Sequence, residues 1–192
     1  INIENATFTN NSVKGCGAIF LMDQSNAGNA SAINVYGGTF TDNACLLSST
    51  SYGSGSIARL KSPGALHFYG GTFANNTTVA GKNYEGIYLR DVSQKLGSNV
   101  YVHKLSADLN VYLTPYSAKV FMSRIVVDSA LTHTISVYIA DNRVPAKGMP
   151  LVVGTDEYKL TEADLAMVKS ANPKATFYLD TENNAICIAK AE

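Results

Sequence analysis

Tryptophan is absent from this chain, and only 16% of its residues are charged. Soluble domains usually carry about 25% charge. Low charge beside abundant Asn, Ser, Thr and Gly suits an exported β-rich protein better than a cytoplasmic enzyme. An excess of either charge is lacking too, since 15 Lys and Arg stand against 15 Asp and Glu. A nucleic-acid binder needs a basic footprint, and an anionic membrane surface attracts one. Neither is expected as a partner. No apolar run approaches the ~18–20 residues of a membrane span, so no membrane insertion is expected.

Cysteine is also scarce. Cys16, Cys45 and Cys187 are too few for a disulfide scaffold, and no C-x-x-C pair gives metal-site spacing. They read as small buried residues, with at most one bridge, between Cys16 and Cys45. No signal-peptide or wall-anchor pattern occurs, and the chain opens on Ile1-Asn2-Ile3, already inside a strand-like run. The expectation is a segment of a longer product, with further repeats before Ile1.

What is present is a repeat. Residues 1–11 match residues 33–43 and 66–76, and the shared phenylalanines Phe8, Phe40 and Phe73 stand 32 and 33 residues apart. Looser second halves follow, at 17–21, 56–60 and 86–89. The runs are short, rich in Ile, Val, Tyr, Phe and Thr, and punctuated by Gly or Asn, which are strand signals. A unit of this length with no helical stretch cannot bury its own apolar face. Parallel stacking of units about 4.8 Å apart supplies the cover. Phe8, Phe40 and Phe73 are then expected as an inner aromatic ladder. Asn11, Asn43 and Asn76 are expected as a ladder of hydrogen-bonded turn residues.

The fold expected is therefore an all-β solenoid, a right-handed parallel β-helix over residues 1–140, with degenerate closing coils from about residue 91. A small β-rich capping module with one short α-helix is expected over residues 141–192. Thr161-Glu162-Ala163-Asp164 resembles a capping box and predicts a helix through about Lys169. Thr176–Asp180 and Ala185–Ala189 predict a hairpin around residues 182–184.

The Gly-Gly-Thr-Phe-x-x-Asn units ending at Asn43 and Asn76, with Gly17-Ala18-Ile19, resemble pectin-lyase-like β-helix repeats of bacterial surface proteins. These include polymorphic outer-membrane proteins and, more closely, adhesin-like cell-surface proteins of gut Firmicutes. The resemblance covers residues 1–90 well and 91–140 loosely. It implies an extracellular or cell-surface location.

Enzymatic β-helices need clustered carboxylates or paired acids. No D-x-D, D-D or H-G motif occurs, and the acids of the repeat region are scattered. Asp23, Lys61 and Asp91 end equivalent runs. In register they would form a charged column, with Arg59 and Arg90 beside it. This column reads either as an exposed ion-pair stripe or as a polar sugar-binding or catalytic row. His67, His103 and His133 lie far apart and show no triad spacing. No phosphate loop precedes a helix, and no cofactor or metal is expected. Tyr36, Tyr69, Tyr88, Tyr101 and Tyr112 lie in or beside strands, and those facing outward would offer an aromatic surface to sugars or a protein.

The function expected is a non-catalytic scaffold, monomeric or part of a longer solenoid. It would display loops at 22–31, 46–55 and 77–85 to a host glycan, mucin or other host protein. The alternative is a fragment of a polysaccharide lyase or glycoside hydrolase of the β-helix type.

Overall fold

A computed structural model describes residues 1–14, 19–23, 32–46, 57–61, 64–78, 86–91 and 93–191. The expected display loops fall largely outside these residues. So does Cys16, one half of the expected bridge, whereas Cys45 is described and buried. The described chain is mostly strand, with one α-helix.

Three opening units share one plan. The first supplies β1 (Asn2–Ile3), β2 (Ala6–Thr9), β3 (Ser12–Val13) and β4 (Phe20–Asp23). The second supplies β5 (Ala32–Val35), β6 (Gly38–Thr41), β7 (Ala44–Cys45) and β8 (Ala58–Lys61). The third supplies β9 (Ala65–Phe68), β10 (Thr72–Ala74), β11 (Thr77–Thr78) and β12 (Ile87–Arg90). Corresponding strands pair in parallel, so each unit adds one strand to each of four sheets.

After the third unit the plan simplifies. β13 (Asn99–Val102), β15 (Arg124–Val127) and β17 (Met149–Gly154) extend the first sheet. β14 (Leu109–Thr114), β16 (Ile135–Ile139) and β18 (Val168–Ser170) extend the fourth. The second and third sheets stop at β10 and β11, three strands each. β19 (Ala175–Asp180) and β20 (Ala185–Lys190) form an antiparallel hairpin, and β20 pairs antiparallel with β17. The first sheet thereby reaches eight strands and the fourth six.

The register explains the core. Side chains alternate across each strand. Ile33, Leu66, Val100, Ile125 and Val152 align across the eight-stranded sheet. Val35, Phe68, Val102 and Val127 form the next inward row. From the six-stranded sheet come Leu60, Leu89, Leu113 and Ile139. All are buried and belong to one cluster. Phe40 is fully buried between Phe8 and Phe73, with ring centroids 5.3 and 4.7 Å away and planes within 9° and 6°. Gly38 turns the chain into this ladder at φ +115°, where a Cβ would meet Ala6 O at 2.4 Å.

The expected boundary at 140/141 is not marked by a break in either large sheet, because β17 pairs with β15 and β18 with β16. The helix is shorter than its sequence suggests. It spans Glu162–Met167, α1, with Thr161 and Asp164 closing a capping box. Val168 then enters β18 opposite Ile135. Pairing with an exposed sheet edge satisfies the backbone there, so the strand displaces the last helical turn.

Candidate functional site

The expected charged column does not assemble as read. Asp23 does lie opposite Lys61, but Leu60 lies opposite Leu89. The residue beyond Leu89 is Arg90, which lies opposite Thr114, and Asp91 falls one position later. The register is Phe20, Ala58, Ile87, whereas aligning Ile19 with Ile87 slips it by one residue. In a strand such a slip exchanges the two faces. The side chains of Asp23, Arg59 and Lys61 lie outside the described residues.

Asp91 instead faces inward and is 4% exposed. Its carboxylate accepts from Ser123 N (2.7 Å), Ser123 Oγ (2.6 Å), Tyr116 N (2.9 Å) and Met122 N (3.0 Å). Four donors satisfy the buried charge and tie the 116–123 crossover to the end of β12. This is a structural anchor.

The polar side chains that do converge lie on the outer face of the eight-stranded sheet. Inward Phe68 and Val102 each separate two outward neighbours. The result is two adjacent outward rows. One aligns Asn2, Asn34, His67 and Tyr101. The other, two residues further along, holds Tyr36, Tyr69, His103 and Asp128.

Rings stack along both rows. Tyr36 and Tyr69 are 4.7 Å apart, Tyr69 and His103 4.0 Å, and His67 and Tyr101 4.3 Å, with planes within 16°. Each ring therefore gives at least one face to a neighbour. Tyr36 is 47% exposed and Tyr69 37%. Asn34 Nδ2 donates to Asn2 Oδ1 at 2.8 Å and prolongs the first row.

A hydrogen-bonded chain links the rows. His103 Nδ1 lies 2.5 Å from Asp128 Oδ2, and His103 Nε2 lies 3.1 Å from His67 Nδ1. The carboxylate fixes the tautomer. With neutral rings, His103 Nδ1–H donates to Asp128 and His103 Nε2 accepts from His67 Nδ1–H. His67 Nε2 is then left as an acceptor. Burial, followed by the neighbouring His103, lowers the His67 pKa and favours this neutral form.

Sequence reasoning noted these tyrosines and histidines but did not join them. The signal was the triplets Asn34-Val35-Tyr36, His67-Phe68-Tyr69 and Tyr101-Val102-His103, each polar–apolar–polar. Tyr88, Tyr112 and Tyr138 form a separate stack on the six-stranded sheet, at 5.4 and 5.1 Å. Among the described residues, no group of three or more His, Cys, Asp or Glu side chains could hold a metal ion. No helix among them is long and apolar enough to cross a membrane.

No family model matches the chain, nor does any curated protein or solved structure.

Proposed function

We propose that this chain is a rigid, non-catalytic segment of an exported or cell-surface bacterial protein that binds a host glycan or glycoprotein. In this reading the units wind as a right-handed parallel β-helix of the pectin-lyase-like type. Residues 141–192 close its end, and the segment belongs to a longer adhesin-like rod.

The observation that carries the reading is the outward rim of Tyr36, Tyr69, His67, Tyr101, His103 and Asp128. Inner ladders already hold the units together, so a plain spacer has no need of a second, exposed ladder ended by an imidazole–carboxylate chain. The rim offers phenol hydroxyls, spaced as adjacent strands are, about 4.8 Å, and one ring nitrogen, His67 Nε2. Such a comb suits a hydroxyl-rich polymer lying across the sheet.

The test is a panel of mucin-type and plant polysaccharides, with binding and product release both measured. Saturable binding without product release, weakened at least about tenfold by Tyr69→Ala or His67→Ala, is the expected result. Product release would favour a polysaccharide-degrading enzyme instead, and no binding would reduce the chain to a spacer.

A further inference from the structure

The inner asparagine ladder stops at Asn76. Below it, each unit offers the next a fixed set of hydrogen-bonding groups. Asn43 Oδ1 accepts from Asn11 N (3.2 Å) and Nδ2 (2.8 Å), and Asn76 Oδ1 accepts from Asn43 N (3.1 Å) and Nδ2 (2.9 Å). In return, Asn43 Nδ2 donates to Phe8 O (3.0 Å) and Asn76 Nδ2 to Phe40 O (2.8 Å). The backbone follows the same rule. Asn10 N donates to Thr41 O and Asp42 N to Ala74 O, while Ala44 N donates to Asn11 O and Thr77 N to Asn43 O. Asn10, Asp42 and Asn75 all hold the turn at φ between 54° and 57°.

At the third unit no described residue takes up the set, because among the described residues the second and third sheets end at β10 and β11. Among the described residues, no group bonds to Asn75 N–H, Asn76 N–H, the second Nδ2–H of Asn76, Phe73 O or Asn76 O. They border a cleft of about 190 Å³ lined by Asn75, Asn76, Thr77, Gly86, Asp108 and Asn110. Beside it, Phe73, Leu105 and Leu109 line a separate, smaller cavity. Among the described residues, the turn half of a further unit is therefore unfilled.

We propose that this cleft binds an extended peptide through an asparagine side chain, seated where the asparagine of a further unit would lie. The carboxamide oxygen would accept from Asn76 N–H and Nδ2–H, and its NH₂ would donate to Phe73 O. Those are the bonds that Asn76 makes with the unit before it. Asp108 in the lining disfavours a carboxylate, so the cleft selects Asn over Asp. The site is separate from the outer rim and does not depend on its ligand.

The experiment is amide NMR on the labelled full chain, titrated with the blocked tetrapeptide Ala-Asn-Asn-Thr. Two control peptides replace its second asparagine by leucine or by aspartate. Expected are saturable shifts, in the millimolar range, of the Asn75 and Asn76 amides and the Asn76 side-chain NH₂. Each control peptide should bind at least about tenfold more weakly. Unmoved Asn75 and Asn76 signals, or equal shifts with the leucine peptide, would overturn the proposal. Shifts produced by N-acetylglucosamine but not by the peptide would overturn it as well, by assigning the cleft to a sugar.

Discussion

His103 Nδ1 sits 2.5 Å from Asp128 Oδ2, and through its other nitrogen His103 holds His67 3.1 Å away. The His67 pKa lies below its ordinary value, first from burial and then from His103. Protonation therefore favours the unfolded chain, whose histidines titrate near about 6.5. The stability that His67 contributes is present above that pH. It is lost as pH falls from there through the lower folded value. NMR titration of the imidazole C–H signals should give His67 a midpoint below 6.5. In His103→Gln the midpoint should rise part of the way back, because burial remains. An unchanged midpoint would show that His103 has no part in the shift.

Asp91 should matter far more to folding than its neighbour Arg90. Replacing it with alanine leaves Ser123 N and Oγ, Tyr116 N and Met122 N without their acceptor inside the fold. Each buried donor left unsatisfied costs about 1–3 kcal/mol. Urea denaturation should place Asp91→Ala at least about 3 kcal/mol below the parent, with Asp91→Asn in between. Arg90→Ala, at a half-buried position, should change stability by roughly 1 kcal/mol or less.

The phenylalanine ladder sets up a comparison within one chemistry. Phe40 is 0% exposed and stacked on both faces, while Phe8 and Phe73 are only partly buried. Phe40→Ala is expected to cost about 3–5 kcal/mol, and Phe8→Ala clearly less. Equal losses in chemical denaturation would mean that Phe8 is as fully enclosed as Phe40, against its partial burial. Asn43 is 0% exposed and uses both Nδ2 hydrogens, on Phe8 O and Asn76 Oδ1. Asn43→Ala should therefore also be costly, about 2 kcal/mol or more.

Parallel stacking was legible because Phe40 and Asn43 recur with their partners at a nearly constant interval, and both need a like neighbour above and below. The charged column was not legible. Its runs carry no such marker, and the slip between Ile19 and Phe20 as the partner of Ile87 changes nothing in the hydrophobic pattern except which face is wet. The rim was half legible. His67 and His103 are 36 residues apart, and their contact depends on a diagonal step between adjacent outward rows that the phenylalanine interval alone does not specify. The end of α1 was hidden for a different reason. Local pattern favoured continuing the helix past Met167, but the open edge of β16 drew Val168–Ser170 into the sheet.

Tyr158 and Asp164 should make the C-terminal region sensitive to pH at both extremes. Tyr158 Oη–H donates to Asp164 Oδ2 at 2.8 Å, and Asp164 also accepts from Leu131 N, Thr161 N and Thr161 Oγ. Burial alone would raise the Asp164 pKa, but these bonds outweigh it and leave the carboxyl below its ordinary range. The Tyr158 phenol moves the other way, pushed up to about 12 by burial and by the carboxylate it bonds. Stability from Asp164 is therefore present above its unfolded value, near about 3.9, and is lost as pH falls through the lower folded one. Stability from Tyr158 is complete below about pH 10 and is lost as pH rises toward 12. Burial also pushes up the Tyr178 phenol, so phenolate absorbance should show a late step that Tyr158→Phe reduces and does not abolish. The same substitution removes a donor from Asp164, so the acid transition should move to higher pH. An acid transition that stays in place in Tyr158→Phe would mean that Leu131 and Thr161 hold the carboxylate without help from the phenol.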